Sequence, residues 1–448
     1  MERKKLLAIA MAALMMICGA AVIVDDNGSD AASILNGTLY GTGSNYNGKL
    51  GLGSTSSVNT FTQIGSSLGD ITDVTCSSNT AFFITEDGKL YGTGSNSYGQ
   101  IGNGTTTNVT TPVQIGSTLG NIKYVTCSYS DAFFITEDGK LYGMGDNTYN
   151  QIDSSSAANI TSPTQIGSTL GPISKAANTG GNTFFITEDG KLYGLGYNRY
   201  GEIGTGDTNQ VSSPTQIGST LGTVIDFWAA GSTTIFKTSD GKLYGMGQNQ
   251  YYQLGLSNNT AQTSPVEVAS DLGEVVKISM NNYVTFFITE DGKLYGCGRS
   301  GNASSSGTSL HRIGENSGTF TDVDAGLGDT YFFFIASGNV QSLYSMSSNI
   351  SAVTTDGDAV RIYNNGQTQF YGTDDGKLMA KGSNGSGQIG DGTTTTASTF
   401  TQVASTLGTV QKVCQSDNST LILTGVYKNM VRFVSNDADY GSVNVNSV

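Results

Sequence analysis

Short runs of apolar and β-branched residues alternate with polar turns along most of the chain. The run AFFIT at 81–85 is followed by the dipeptide D-G, the strongest two-residue hairpin signal, and then by the returning run KLYG. VQIG at 113–116 and IKYVTC at 122–127 add two more runs, separated by S-T-L-G. No helical 3.6-residue pattern of useful length interrupts them. Each unit therefore predicts four short antiparallel strands.

The unit is repeated every 51 residues. The glycine of the D-G turn marks the repeat, and it stands at Gly88, Gly139, Gly190, Gly241 and Gly292. A fixed period of about 50 residues indicates one supersecondary unit copied many times. A unit of four antiparallel strands is a propeller blade. The sequence therefore predicts an all-β fold, a single β-propeller of four-stranded antiparallel blades.

A second glycine-rich string follows the KLYG run. It reads GSNYNGKLGLG at 43–53, GSNSYGQIGNG at 94–104, GYNRYGEIGTG at 196–206 and GSNGSGQIGDG at 382–392. Together with D-G-K-L-Y-G, this pattern resembles the regulator of chromosome condensation repeat over about residues 36–425. The glycine and tryptophan hallmarks of kelch repeats are absent, and a single tryptophan, Trp228, speaks against a WD repeat. The resemblance implies a propeller that typically closes with seven blades.

The later repeats are shorter than the others. We interpret the stretch from Gly292 to Gly376 as two units of about 46 and 38 residues, with a break near Gly338. Eight units are counted in this way, against the seven blades expected from the family. We expect the ring to close by pairing the N-terminal strand, at Leu39-Tyr40, with the C-terminal strand, Leu421 to Leu423, because closure removes exposed edges.

The N-terminus is predicted to direct export. Three basic residues, Arg3, Lys4 and Lys5, precede an uncharged stretch that ends at Val24, which is the order of a secretory signal. Cleavage after Ala21 and retention as a membrane anchor are both compatible with this stretch. We therefore interpret residues 1–31 as a signal peptide or N-terminal anchor with a polar linker, and residues 32–425 as the propeller.

The C-terminal residues 426–448 do not follow the repeat. Their string VRFVSNDADYGSVNVNSV resembles the first strands of internalin-type and Listeria-Bacteroides-type surface repeats. We interpret them as the start of a small β-module that is truncated here, with an extra hairpin as the alternative.

Composition narrows the choice of partners. Charged residues make up 13% of the chain, acidic residues outnumber basic ones by 36 to 22, and the net charge is −14. Nucleic acid and anionic lipid both require a basic face, so neither is expected to bind. A membrane contact is expected only through a retained N-terminal anchor.

The residues needed for catalysis are sparse. The one histidine, His311, lies in SLHRIG, where other units have an ordinary strand, so no Ser-His-Asp site is expected. Glu-Asp pairs recur at the D-G turns, whereas a glycosidase concentrates two acids in one site. The loops GTGDTN at 204–209 and GDGTTTT at 390–396 lack the spaced carboxylates of a calcium loop. We predict no enzyme activity, no metal and no cofactor.

Four cysteines follow the N-terminal segment. Cys76 and Cys127 lie in the same string, VTCS, of successive units, while Cys297 and Cys414 lie elsewhere in theirs. This scatter is not a disulfide framework, and no C-x-x-C pair suggests a metal site. We expect buried thiols, with one disulfide as the open alternative.

Repeated tyrosines mark a candidate binding surface. The turn N-x-Y recurs every 51 residues with Tyr98, Tyr149, Tyr200 and Tyr251, and Tyr46 is displaced by one residue from the matching place. Because this turn joins two strands at one end of each blade, the rings are expected to form an arc on one face. Aromatic rings of this kind suit recognition of a protein or a glycan. The alternative is that each ring packs on the neighbouring blade.

These observations predict a secreted or cell-surface, non-enzymatic propeller that binds an extracellular protein or glycan in adhesion or another interaction. The alternatives are a secreted proteinaceous enzyme inhibitor, a passive surface-coat protein and a GTPase exchange factor, the last a role found inside cells in the family that the repeat resembles. A photoreceptor role in that family depends on clustered tryptophans, and Trp228 alone excludes it here.

Overall fold

The computed structural model describes residues 34–155, 157–299, 307–315, 317–326, 332–336, 339–343, 351–352 and 359–427. The predicted export segment and the C-terminal segment after Tyr427 lie outside the described residues. Within them, a single turn of 3-10 helix at Tyr46–Gly48 accompanies the strands. No helix in these ranges has the length and hydrophobicity needed to cross a bilayer.

The strands of the described residues form eight four-stranded antiparallel sheets, the blades. The N-terminal strands are β1 (Ile34–Gly43) and β2 (Val58–Ile64). Blade 1 has β3 (Ile71–Cys76), β4 (Thr80–Thr85), β5 (Leu90–Gly94) and β6 (Val109–Ile115). Blade 2 has β7 (Ile122–Cys127), β8 (Asp131–Thr136), β9 (Leu141–Asp146) and β10 (Asn159–Ile166). Blade 3 has β11 (Ile173–Thr179), β12 (Asn182–Thr187), β13 (Leu192–Gly196) and β14 (Val211–Ile217).

The remaining blades follow the same plan. Blade 4 has β15 (Val224–Ala230), β16 (Thr233–Thr238), β17 (Leu243–Gly247) and β18 (Gln262–Val268). Blade 5 has β19 (Val275–Met280), β20 (Val284–Thr289), β21 (Leu294–Gly298) and β22 (Thr308–Ile313). Blade 6 has β23 (Phe320–Asp324), β24 (Phe332–Ala336), β25 (Asn339–Leu343) and β26 (Ser351–Ala352). Blade 7 has β27 (Ala359–Asn364), β28 (Thr368–Thr373), β29 (Leu378–Gly382) and β30 (Ala397–Val403), and the chain continues into β31 (Val410–Ser416) and β32 (Ser419–Tyr427).

The ring is closed by a blade that combines both ends of the described chain. Its strand order is β2-β1-β32-β31, so β1 lies beside β32 as the sequence predicts. The eight units counted in the sequence correspond to the eight sheets of the described residues, one more than the seven blades typical of the family. Gly338, the predicted break between the two short units, lies outside the described residues.

We call the four strands of a blade a to d in sheet order, so the closing blade has β31, β32, β1 and β2 in these places. The a strands of successive blades contact one another around the whole ring, from β3 to β31 and back to β3, and are therefore innermost. One register position of the a strands is occupied by Asp73, Tyr124, Lys175, Asp226, Lys277, Asp322, Arg361 and Lys412. Several of these side chains pair across blade junctions, as Lys175 does with Asp226 at 2.5 Å.

The hydrophobic core lies between the blades and is built from the b strands. In strand β4, all six residues are buried. Phe82 packs with Phe134 of blade 2 in the core between blades 1 and 2, while Phe133 packs with Phe185 in the next core. The repeated Phe-Phe dipeptide thus sends one ring to each neighbouring blade, and each buried ring stabilises the fold by about 2 to 3 kcal/mol. The tyrosine of KLYG packs against the same dipeptide, since Phe83 stacks on Tyr91 with ring centroids 5.8 Å apart.

Two repeated glycines are required by backbone geometry. Gly88, in the D-G turn, has φ +75°, a conformation that favours glycine. Gly94, at the end of strand c, has φ +111°, and a Cβ there would lie 2.2 Å from the carbonyl oxygen of Asn79. The end of strand c therefore lies so close to the a–b turn of the same blade that there is no room for a side chain.

Candidate functional site

The antiparallel order places two kinds of connection at opposite ends of each blade. The b–c turns, which contain D-G, lie at one end and form the charged face, where Lys89 pairs with Asp87 at 2.6 Å and both side chains are about half exposed. The hydrogen bonds from Lys89 and Thr85 hold the pKa of Asp87 below its ordinary value. The a–b turns and c–d loops lie at the other end. We call this end the tyrosine face, because the N-x-Y turns belong to the c–d loops.

The repeated asparagine of the N-x-Y turn shapes each c–d loop. Asn96 is buried, and its Oδ1 accepts a hydrogen bond from the backbone N–H of Ile101 at 2.9 Å. Its Nδ2 donates to the carbonyl oxygens of Thr105 and Thr107 at 2.9 and 3.1 Å. One side chain therefore replaces the strand hydrogen bonds that a long loop lacks, which explains why the motif contains asparagine.

The repeated glutamine of the same motif holds the tyrosine backbone. Gln100 is 1% exposed, and its Oε1 accepts the backbone N–H of Tyr98 at 3.0 Å. Its Nε2 donates to the carbonyl oxygen of Tyr129, in the a–b turn of blade 2, at 3.4 Å. The same acceptor role is taken by Gln151 for Tyr149, Glu202 for Tyr200 and Gln253 for Tyr251.

The four tyrosines selected from the sequence have different surroundings. Tyr98 is 37% exposed. Tyr149 stacks on Tyr197 of blade 3 with ring centroids 4.0 Å apart.

The other two lie beside arginines. Tyr251 lies against Tyr283, and the guanidinium carbon of Arg299 is 4.3 Å from the Tyr251 ring centroid. Tyr200 is partly buried, with the guanidinium of Arg199 5.5 Å from its ring centroid. Tyr149 and Tyr251 thus contact the neighbouring blade, while Tyr98 faces solvent.

Three exposed tyrosines lie on consecutive blades of the tyrosine face. Tyr46 of the closing blade is 67% exposed, Tyr98 of blade 1 is 37% exposed, and Tyr129 of blade 2 is 60% exposed. We call these three residues the tyrosine patch. Tyr129 belongs to an a–b turn, outside the repeated N-x-Y string, and motif reasoning therefore missed it. Its distinguishing signal is a tyrosine between two serines in the turn that joins the a and b strands.

Hydrogen bonds join the turns that carry the tyrosine patch. Asn108 Nδ2 of blade 1 donates to Asn47 Oδ1, beside Tyr46, at 3.0 Å. Thr93 Oγ1 donates to the carbonyl oxygen of Gly48 at 2.9 Å. Together with the bonds of Gln100, these contacts link the three turns into one supported surface.

The surroundings of the patch carry little charge. The adjoining segments 44–57, 77–79, 95–108, 128–130 and 417–418 consist mainly of Ser, Asn, Thr, Gly and Tyr, and their charged residues are Lys49 and Asp417. Asp146, whose backbone N–H donates to the carbonyl oxygen of Ser130 beside Tyr129, adds one more carboxylate. Lys49 is 4% exposed and donates to the carbonyl oxygen of Ser78 at 2.8 Å. Burial lowers the pKa of Lys49 to about 8, against the opposing effect of Asp417.

A buried carboxyl lies below the patch at the start of β8. Asp131 accepts hydrogen bonds from Gln151 Nε2 at 3.3 Å and Asn178 Nδ2 at 3.2 Å, and also from Ser128. Burial raises its pKa to about 6. Asp131 therefore joins the c–d loop of its own blade, through Gln151, to strand β11 of blade 3, through Asn178.

Other residues considered for chemistry have structural surroundings. His311 lies on strand β22 opposite Gly296, as an ordinary strand residue. Asp207 and Asp391, from the two loops compared with calcium sites, accept hydrogen bonds from Asn209 and Thr393 of their own loops. In the described ranges, no group of three or more His, Cys, Asp or Glu side chains is placed to hold a metal ion.

The cysteine prediction needs correction. Cys76 and Cys414 form a disulfide, with Cα atoms 6.0 Å apart and a sequence separation of 338 residues. The alternative of one disulfide is therefore the correct one for this pair. Cys127 and Cys297 are free thiols, of which Cys297 is buried and Cys127 is partly buried. The physical reason is ring closure, which brings the innermost strands β31 and β3 side by side.

Comparison with known proteins agrees with the fold. The RCC1-like domain matches residues 27–344. The Ultraviolet-B receptor UVR8 of Arabidopsis thaliana is 32% identical over 269 residues, which are 59% of this chain and 61% of the receptor. The human E3 ubiquitin-protein ligase HERC2 is 26% identical over 372 residues, 80% of this chain and 7% of the ligase. This chain thus spans about three fifths of the plant receptor and a small part of the ligase.

Solved structures show the same architecture. Human WBSCR16 superposes with a TM-score of 0.64 at 17% identity, covering 87% of this chain and 99% of that one. Prp20p from Saccharomyces cerevisiae superposes with a TM-score of 0.63 at 14% identity, covering 91% of this chain and 96% of that one. The domain match extends over well over half of the chain. Because its described residues also form the propeller of four-stranded blades, this chain belongs to the RCC1-like domain family.

Proposed function

We propose that this protein is an exported, non-enzymatic binding protein that engages an extracellular protein through the tyrosine patch. The observation that carries the proposal is the exposure of Tyr46, Tyr98 and Tyr129 on consecutive blades, above turns fixed by hydrogen bonds. Large aromatic side chains that are held in place lose little entropy on binding, and they dominate the energetics of protein interfaces.

The loops around the patch favour a protein partner. Tyrosine surrounded by Ser, Asn and Gly is the composition of antibody binding loops, where the rings supply contact area and the small polar residues supply adaptable hydrogen bonds. The charged side chains of the repeated hairpins lie on the opposite face. Prp20p, which has the same fold, is described as binding Gsp1p and histones. The propeller is thus a scaffold that presents protein-binding surfaces, and a neutral partner surface fits this one.

Two observations support export. The N-terminal sequence has the basic and apolar regions of a secretory signal. The Cys76–Cys414 disulfide belongs to an oxidising environment, because cytosolic thiols are kept reduced. Cell fractionation tests this part of the proposal. We expect the chain outside the cytoplasm, and recovery of the full-length chain in the cytoplasm would contradict export.

The binding role is tested by capture with matched variants. The immobilised wild-type protein, the patch variant Tyr46→Ala/Tyr98→Ala/Tyr129→Ala and the control Glu86→Ala/Glu137→Ala/Glu188→Ala are exposed to surface material from the native environment. We expect the wild type and the control, which is changed on the charged face, to capture the same protein, and the patch variant to lose it.

Treating the surface material identifies the class of partner. Digestion with protease is expected to abolish capture, whereas removal of glycans is expected to leave it unchanged. Capture that survives proteolysis and is lost on deglycosylation would identify a glycan instead and overturn the proposed protein partner. Equal capture by the patch variant would overturn the assignment of the surface.

A further inference from the structure

The tyrosine patch crosses the place where the ring closes. Tyr46 belongs to the closing blade, while Tyr98 belongs to blade 1 and Tyr129 to blade 2. We call the junction between the closing blade and blade 1 the seam. The chain passes directly from β2 of the closing blade to β3 across the seam, as it passes across the other junctions. The closing blade itself is assembled from both ends of the described chain, because β1 pairs with β32. Loss of the pairing between β1 and β32 would leave the hairpin of β1 and β2, whose loop carries Tyr46, with two strands. A two-stranded hairpin is marginally stable, so Tyr46 would no longer be held beside Tyr98.

Several contacts concentrate at the seam. Cys414 of β31 is bonded to Cys76 of β3. Two residues before Cys414, on the same side of the strand, Lys412 pairs with Asp73 at 2.6 Å. At the tyrosine face, the buried Lys49 donates to Ser78 of blade 1, and Ser78 in turn donates to Asp417 at 3.1 Å.

The next junction provides an internal comparison. Thr75 of β3 occupies the register position of Cys414, and Cys127 of β7 occupies that of Cys76. Thr75 Oγ1 lies 4.0 Å from Cys127 Sγ, so the same pair of positions is in contact without a covalent bond. The disulfide is therefore specific to the seam, although the geometry that allows it is repeated at the neighbouring junction.

We propose that the Cys76–Cys414 disulfide is a clasp that keeps the tyrosine patch assembled across the seam, so that the oxidised protein is the binding-competent form. The inference rests on the function proposed above for the patch. Forming the bond removes one proton and one electron from each thiol. The two electrons and two protons pass to the disulfide of a thiol oxidoreductase, which becomes a dithiol, in the compartment that receives the exported chain.

The clasp is tested first without any partner. Hydrogen exchange is measured on the purified full-length protein, oxidised and after reduction, and on Cys76→Ser/Cys414→Ser. We expect faster exchange on loss of the disulfide in peptides from β1, β31 and β32, with a smaller change in blade 4. The control Cys127→Ser removes a thiol at the matching register position and is expected to exchange like the wild type. Burial raises the pKa of Cys127 to about 12, so its thiol is unreactive in the wild type.

The same variants are then used for capture, as described above. We expect Cys127→Ser to retain capture and the double serine variant to lose most of it. Equal exchange in the seam peptides and in blade 4, or alkylation of Cys76 and Cys414 without prior reduction, would overturn the clasp. Faster exchange at the seam with undiminished capture by the double serine variant would overturn the link to binding. If neither the wild type nor Cys127→Ser captures a partner, the proposed function fails, while the exchange result still decides whether the clasp exists.

Discussion

The buried side chain of Gln100 accepts the backbone N–H of Tyr98 at 3.0 Å. The same side chain donates to the carbonyl oxygen of Tyr129 on the next blade at 3.4 Å. One residue of the repeated motif therefore positions two of the three exposed tyrosines. The repeat contributes to the fold and to the surface through the same residues, since the loop asparagine and glutamine that stabilise the turn also hold the backbone that carries the tyrosines.

Replacing Gln100 is expected to destabilise the tyrosine face. Gln100→Met keeps most of the side-chain volume but leaves the N–H of Tyr98 without its acceptor, which should lower the free energy of unfolding by about 1 to 3 kcal/mol. Ser97→Ala, an exposed change in the same loop, should remain within about 0.5 kcal/mol of the wild type. Urea unfolding measures both variants, and equal stability of the two would contradict this role of Gln100.

The tyrosines should separate into two groups by stability. Tyr149→Ala removes the stack on Tyr197 and is expected to lower the melting temperature, because aromatic pairs contribute about 0.5 to 1.5 kcal/mol beyond their burial. Tyr129→Ala, at a side chain that is 60% exposed, is expected to leave the melting temperature nearly unchanged. Calorimetry on both variants checks this difference. A larger loss for Tyr129→Ala would mean that Tyr129 is a packing residue.

Asp131 should make stability depend on pH. Burial raises its pKa from the ordinary 3.8 to about 6, so the folded protein keeps a proton that the unfolded chain releases between these values. The stability due to this group is therefore present below about pH 4 and is lost as the pH rises to about 6. Asparagine is compatible with the position, because Asn182 occupies it in blade 3.

The variant Asp131→Asn lacks this proton. As the pH rises from about 4 to about 7, we expect the wild type to lose stability relative to the variant, as measured by urea unfolding at several pH values. Parallel curves for the two proteins would show that Asp131 does not take up the proton on folding. Asp324, whose pKa burial also raises to about 6, is unchanged in both proteins and does not affect the comparison.

A second disulfide should form at the junction after the seam. Thr75→Cys places a thiol where Cys414 stands at the seam, next to the free thiol of Cys127. After incubation under oxidising conditions, the protein is unfolded without a reductant before alkylation, so that a free Cys127 thiol would react. We expect Cys127 to be protected and the melting temperature to rise, because the cross-link restricts the unfolded chain. Mass spectrometry of alkylated peptides detects the bond. If Cys127 stays fully alkylated, the two junctions differ in geometry despite their equivalent register.

The repeat could be predicted from the sequence because each of its strands and turns is encoded within one short segment. The 51-residue spacing and the D-G hairpins follow from short strings of the sequence. The pairing of β1 with β32 follows from the expectation that a closed ring leaves no exposed edge. The residues at the shared register position of the innermost strands follow the same spacing, since Asp73, Tyr124 and Lys175 are each 51 residues apart. Their side chains differ in charge, so the repeat predicts the position and not the residue type.

Contacts between blades could not be predicted from the sequence in the same way. The bond between Cys76 and Cys414 depends on two strands 338 residues apart in sequence becoming neighbours at the inner edge of a closed ring. The packing of Tyr149 depends on Tyr197, which replaces the serine found at the same place, Ser95, in blade 1. A shared motif therefore predicts where each tyrosine turn lies, while the variable residue of the next blade decides whether the ring is covered.

The most direct test of the proposed surface is photocrosslinking on the native cells. Benzoylphenylalanine is introduced in place of Tyr98 in one variant and in place of Glu188, on the charged face, in another. We predict a crosslinked adduct with an extracellular protein from the Tyr98 position and none from the Glu188 position. An adduct from Glu188 alone, or no adduct from Tyr98, would contradict the assignment of the tyrosine patch as the binding surface.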